Sequence, residues 1–415
     1  MFIKRIAIKN YKYHFYILFI GVVVHLCMSF LLQLYDQNII YPDSTNYLES
    51  ASKMFQKFTG HYYRPMLMAF INGLPYLFGS NDAGIYKWSF FVNLICWLGT
   101  ALLLFEILKA FLPQRKSFYF ALFSFSFLSI LVHTFHLLTE NCYIFFILLS
   151  FYFLLKYYQK QQLVYLSLGL ALLFSSMLIK PGSKFLAIGF GIFFSKEIIK
   201  NFKDKRLIWL YGSWLMILIQ VIGMKVQYGN FTISYIDGVT IHNYLCSKAV
   251  CIKEGKEFNQ INNPRADYLF SQSLPDQKRI PKDDLIHQIK TNFPNLIRAY
   301  FSNMLENCKT GSGCIYDCQN RNKTNYFESV KLTLFAISKW QNRIFTIIGL
   351  MLAVYFFVNR KKHEKIILFS SYFIVYIIVL SGISCGQGDR FHMVTFPFTL
   401  LLLAKLYQII SVQKA

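Results

Sequence analysis

Residues 15–34 read FYILFIGVVVHLCMSFLLQL. A helix needs about 20 consecutive apolar residues to cross a bilayer, and this run supplies them. Lys4, Arg5, Lys9 and Lys12 come before it, and no small-x-small cleavage site comes after it. The pattern predicts a retained first membrane helix rather than a signal peptide. Windows of about 19 residues find further candidates at 86–112, 118–135, 142–155, 163–179, 185–194, 207–225, 344–358, 366–383 and 394–410. The whole chain agrees: 55% of its 415 residues are hydrophobic, 18% aromatic and 15% charged. A soluble domain carries about a quarter charged residues, so a water-soluble protein is excluded. The expected fold is an all-α polytopic membrane protein with about ten transmembrane helices.

The formal charge is +23, from 43 Lys+Arg against 20 Asp+Glu. Such an excess can signal nucleic acid, but these cations cluster in the gaps between apolar runs and no nucleic-acid-reading module is present. They set orientation instead. Arg115 and Lys116, Lys156 and Lys160, the set Lys196, Lys200, Lys203, Lys205 and Arg206, and finally Arg360, Lys361, Lys362 and Lys365 all fall on one side. The opposite short loops hold Glu140 and Asp389. By the positive-inside rule both termini are cytoplasmic.

Two stretches are then external. Residues 35–85 join the first two spans, and residues 226–339 are too polar to cross and too long for a connector. The chain divides into an N-terminal membrane module (1–225), a large external loop domain (226–339) and C-terminal membrane helices (340–415). Within the large loop Ile286, Ile289, Phe293, Leu296, Ile297, Tyr300 and Met304 recur at helical spacing and predict one helix over 285–305. Cys246, Cys251, Cys308, Cys314 and Cys318 lie there too, and Cys385 sits in another external loop. Two or three disulfides are expected on an oxidising face. The spacings do not suit zinc.

The first external loop reads Tyr41-Pro42-Asp43-Ser44-Thr45-Asn46-Tyr47. Tyr47, Leu48, Ala51, Met54, Phe55 and Phe58 then share a helical face opposite Glu49, Lys53, Gln56 and Lys57, which predicts an interfacial helix. Asp43 suits a helix cap, and equally a functional carboxylate. Arg64, Lys180, Lys184 and Arg390, with His61 and His392, fall on the same side of the membrane. Each cation suits snorkelling to headgroups, while several converging near membrane depth mark a substrate path. Glycosyl transfer from a lipid-phosphate sugar uses this set. The leaving phosphate needs cations, and the acceptor hydroxyl needs a carboxylate to take its proton.

Asp43 with Tyr47, Ala51 and Gly60, then Arg64-Pro65 and Leu77-Phe78-Gly79, resembles the first-loop signature of GT-C glycosyltransferases. The branch is that of dolichyl-phosphate-mannose protein mannosyltransferases and the lipid A aminoarabinose transferase. Thr139-Glu140-Asn141 is similar to the second acidic position of that family, Lys180-Pro181 closes the fifth span, and Asp389-Arg390-Phe391 opens the last. The resemblance covers the membrane scaffold and leaves out 226–339. It implies a GT-C-like bundle with Asp43 as catalytic base, Glu140 as a second acid and Arg390 on the donor phosphate. Arg64 and Lys180 join the phosphate site on charge and placement alone, and His61, Lys184 and His392 are accessory candidates. Many relatives have Asp-Glu where this chain has Asp43-Ser44, so any metal role of the second acid is open. The sequence requires no cofactor, and a divalent metal stays compatible with it.

The function expected is an inverting glycosyltransferase of the inner membrane. It would move a sugar from a polyprenyl-phosphate donor to a hydroxyl of a glycan or lipid-linked acceptor, such as O-antigen, on the outer face, among membrane lipids. An O-antigen polymerase or ligase is an alternative, because Arg265, Arg279, Arg298 and Arg321 lie in the large loop. A lipid-linked saccharide flippase is a third reading. It would want charges at mid-membrane and paired halves, and the sequence shows no repeat.

Overall fold

The computed structural model describes residues 2–36 and 41–413. Residues 37–40 of the first loop lie outside the described residues, as do the side chains of Lys4, Arg5 and Lys9. Among the described residues every regular element is helical. Six helices are long and apolar enough to cross a membrane: Tyr11–Leu31, Asp82–Leu108, Glu140–Lys160, Lys205–Tyr228, Phe327–Val358 and Met393–Gln413. The protein is therefore an integral, polytopic membrane protein.

The expectation of about ten spans needs correcting in detail. The stretch 118–135 is two helices, Gln114–Ser126 and Leu128–Phe135, bent by 67°, which count as a seventh span if taken together. The break is stabilised from outside. The Gln341 side chain accepts from the Leu128 amide at 3.1 Å and donates to the Ser126 carbonyl at 2.6 Å. It thus satisfies backbone groups that lipid could not. Three other expected spans are short helices, Leu163–Ser176 (14 residues), Lys184–Phe193 (10) and Lys365–Ser381 (17). At 1.5 Å per residue the 10-residue helix is about 15 Å long, half a bilayer core.

Lipid tails are as apolar as leucine, so membrane helices associate through close packing and polar contacts. Glu140–Lys160 and Leu163–Ser176 illustrate this. A side chain at Gly169 would press Leu154 at 2.9 Å, and the Ser150 hydroxyl donates to the Gly169 carbonyl at 2.6 Å. Asn342 does the same midway along Phe327–Val358, donating to the carbonyls of Asn307 (2.7 Å) and Thr310 (2.8 Å).

The large loop is a cap of short helices. The helix expected over 285–305 is broken. One helix runs Leu274–Thr291 and the next Phe293–Lys309, with Asn292 between them and Pro294 in the first turn of the second. Proline has no amide to carry a ladder across that point. All nine cysteines are free, so the expected disulfides are absent. The thiols have other partners: Cys318 contacts the Cys314 carbonyl at 3.1 Å, and Cys314 lies 3.7 Å from His133 Nε2.

Candidate functional site

The first-loop helix starts at Pro42, earlier than its amphipathic pattern alone requires, and places Asp43 in its first turn. Tyr47 and Ala51 are buried against the protein rather than offered to lipid. Asp43 does not cap this helix: Tyr41 holds that position without a side-chain bond. Its carboxylate is taken instead by Arg64 Nη2 at 2.5 Å and Arg390 Nη1 at 2.8 Å.

Arg390 also donates to Glu140 Oε1, from Nε at 3.1 Å and Nη2 at 2.9 Å. Lys180 reaches the same oxygen at 3.4 Å, and the Thr139 amide donates to Oε2 at 3.1 Å. Four stretches far apart in sequence, the first of them the first external loop, thus bring Asp43, Arg64, Glu140, Lys180 and Arg390 into one cluster. Both acids lie in first helical turns, where unpaired amides and the helix dipole favour a negative charge. Glu140 forms the floor at 1% exposed, while Asp43 is 30% exposed at the mouth. Burial raises the affinity of Asp43 for its proton, but Arg390 and Arg64 outweigh it and hold the carboxyl below its ordinary value. Burial pulls Lys180 below the usual amine range, with Glu140 opposing.

Several further residues support the cluster, and of these Tyr143, Tyr244 and Gly388 carry no obvious signal in the sequence. The Tyr47 ring lies 4.5 Å under the Arg64 guanidinium, one turn after Asp43. Lys180 sits between the rings of Tyr143 (5.7 Å) and Phe391 (5.6 Å). Tyr244 brings the large loop within electrostatic reach of Asp43 and Arg390. The turn carrying Arg390 is fixed by Gly388, whose φ of +62° suits glycine and whose absent side chain would meet the Gly311 carbonyl at 3.1 Å. Asp389 beside it is fully buried. It accepts from the Ser129 hydroxyl and leaves Oδ1 without a partner. Burial pushes it up to about 7.

The accessory candidates do not join the cluster directly. His61 Nδ1 accepts from the amides of Tyr63 (3.0 Å) and Arg64 (3.1 Å). Burial lowers it to about 4, so it is neutral and shapes the loop under Arg64. Lys184 pairs with Asp237 of the large loop at 3.0 Å. His392 is taken by Thr346 (3.2 Å) and Ser381 (2.8 Å), tying three helices together. His61 and His392 thus take their partners outside the five-residue cluster, and Lys184 fastens the loop. Both carboxylates are engaged by cations, and among the described residues no three of His, Cys, Asp or Glu converge as ligands.

Fold and site together define an integral membrane protein with a buried, mixed-charge cluster at the loop end of its bundle. No protein-family model and no curated protein matches the chain. In the solved structures it is similar to the Archaeoglobus fulgidus oligosaccharyltransferase, crystallised in complex with zinc and sulfate. The TM-score is 0.49 and the identity 13%, over 94% of this chain and 49% of that one. The chain spans about half the length of that protein.

Proposed function

We propose that this protein is an inverting glycosyltransferase of the cytoplasmic membrane, with both termini inside and its site on the outer face. It takes a sugar from a polyprenyl-phosphate donor and places it on a hydroxyl of a cell-surface glycan or lipid-linked saccharide such as O-antigen. The observation that carries this reading is the charge count of the cluster. Three cations, Arg64, Lys180 and Arg390, face two carboxylates, Asp43 and Glu140. The surplus of one positive charge suits a phosphodiester, which carries one negative charge.

In this reading the donor phosphate binds Arg390 and Lys180 from the bilayer side, next to Phe391 and Tyr143. A second anion draws Arg390 toward itself and loosens its hold on Asp43, which becomes more basic as the donor arrives. The acceptor oxygen attacks the anomeric carbon as Asp43 removes the hydroxyl proton. The carbon–oxygen bond to phosphate breaks, and the electron pair leaves on the phosphate, stabilised by the cations. Glu140, held on the floor, keeps Arg390 and Lys180 in place. Asp43 acts as base because it is the acid open to a second substrate.

The test is Asp43→Asn, expressed at the same membrane level as wild type in cells supplied with polyprenyl-phosphate sugars. Mass spectrometry of surface glycan reads the product. Loss of a hexose-sized increment is expected, on the order of a 100-fold fall in transfer from losing a general base. Activity equal to wild type would remove Asp43 from the chemistry. A second reading, an O-antigen polymerase or ligase, draws on one observation. The large loop holds a cavity of about 580 Å³ lined by Arg265, Arg279, His242 and His287. Under that reading Arg279→Ala abolishes activity and Asp43→Asn spares it.

A further inference from the structure

We propose that the helix Phe293–Lys309 docks the large loop onto the bilayer, its ligand being the lipid surface of the leaflet on the loop side. The inference stands apart from the transferase reading, because it concerns a different face of the molecule.

This helix has three faces. Leu296, Ala299, Asn303 and Asn307 are buried. Ser302, Glu306 and Arg298 form a polar side. Between them runs an apolar stripe, Phe293, Ile297, Phe301 and Leu305, spaced four apart and 52%, 38%, 55% and 56% exposed. Part of the stripe lines a shallow cavity of about 590 Å³ with Arg298 and Lys309 at its rim. A stripe this apolar in water would be an aggregation liability.

Its height is fixed by hydrogen bonds. Tyr300 donates to the Val379 carbonyl at 2.5 Å, Asn303 to Gly382 at 3.1 Å, and Asn307 to Ser381 (3.0 Å) and Ser384 (2.8 Å). These carbonyls end the membrane helix Lys365–Ser381, so the docking helix lies across that helix end. On its other flank Asn342 and Arg343 of Phe327–Val358 bond to its last carbonyls. Beside them Trp340 is 59% exposed and carries the Arg343 guanidinium 5.2 Å from its ring. An exposed Trp paired with a cation, just before the apolar half of a membrane helix, marks the headgroup level.

The helix it is bonded to, Phe327–Val358, also shows an apolar exposed side just beyond Arg343, with Ile344, Ile347 and Met351 exposed. Arg298, Lys309 and Arg343 stand where lipid phosphates would lie, whereas Glu306 is neutralised by Lys248 at 2.8 Å. The geometry is that of an interfacial helix, with its apolar side in the acyl boundary and its cations among headgroups.

The full chain in nanodiscs of phosphatidylethanolamine and phosphatidylglycerol tests this. A photo-cross-linking amino acid is placed at Phe301, at Ile297 as a second stripe position, and at Ser302 on the polar side. Mass spectrometry then reads the adducts. Lipid adducts are expected at both stripe positions, roughly five-fold above Ser302, as one apolar side enters the interface. Equal yields at all three positions overturn the proposal, as the helix then stands in water. Cross-links from Phe301 to a second copy of the chain overturn it in favour of a dimer contact.

Discussion

Two groups of charges in this molecule are built differently. In the large loop, Asp284 accepts from Arg265 at 2.6 Å and contacts His242 at 2.8 Å. Arg265 also donates to Ser247, whose hydroxyl bonds the His242 carbonyl. All of this comes from neighbouring short helices, and Arg265 and Asp284 are 19 residues apart. One acid meets one guanidinium, and the ring closes on itself. The membrane-end cluster joins residues up to 347 positions apart and ends with a cation to spare. Burying a charge is expensive, and a matched pair barely repays it. A group that stays unmatched after the whole fold has assembled has a further partner to meet.

Removing one charged partner from each group separates a ligand site from a staple. Arg390→Met should give the largest effect, a fall in transfer rate on the order of 1,000-fold, because it removes charge stabilisation of the leaving phosphate. It also strands Asp43 and Glu140, at a cost of about 3–5 kcal/mol in stability. Arg390→Lys keeps the charge and loses the fork that spans both acids. About a tenth of wild-type activity should remain, since a lysine is a point charge. Transfer rates per folded molecule, scored by thermal melting and product mass, check both variants. An Arg390→Met protein that transfers at the wild-type rate ends the distinction.

Asp389 lies beside the membrane-end cluster and outside its charge pairing, a carboxyl bonded to Ser129 with no cation of its own despite lying next to Arg390 in the chain. Its folded value, about 7, is above the ordinary carboxylate value. The stabilising protonated form is complete below about pH 4 and is lost as pH rises through about 7. Wild type should therefore lose stability between pH 5 and pH 8. Asp389→Asn, which cannot ionise, should not follow it, and the gap between the two should widen by on the order of 2–3 kcal/mol. Melting temperatures of both proteins across that range read the slope. Parallel curves would mean that water or a neighbouring cation reaches Asp389.

Much of the scaffold was legible because lipid enforces it. Runs such as 207–225 have to be helices when no water is there to satisfy the backbone. The five clustered residues were legible as charges on one side of the membrane, with order taken from the family resemblance. Distances were not. Nothing in the string links Gln341 to the break at Phe127, because a side chain mending a distant backbone has no local pattern. The disulfide expectation failed for a related reason. Cysteine counts speak of compartment, whereas pairing needs two thiols on facing elements, and here Cys318 bonds the Cys314 carbonyl just past the end of the short helix Gly313–Tyr316. Asp389 was legible only as a loop acid beside Arg390, since burial of one carboxyl is decided by packing that sequence does not display.

The loop ring supplies the smallest expected effect and the cleanest separation. Asp284 is 12% exposed. Burial raises its proton affinity, but His242 and Arg265 prevail and hold it at about 2. A depressed carboxyl stabilises the fold above its unfolded value near pH 4, and that stability disappears as pH falls through about 2. At pH 7 Asp284→Asn should cost about 2 kcal/mol, with the loss shrinking as pH falls through that window. Transfer per folded molecule should stay at the wild-type level, because the ring holds the loop together and does not touch the donor or acceptor. The polymerase or ligase reading requires the reverse, as Asp284 lines the loop cavity beside Arg279. Hydrogen exchange on residues 242–291 would report the loosening, and product mass would report the chemistry. A stable Asp284→Asn protein without activity would move the reacting site from the membrane end into the loop.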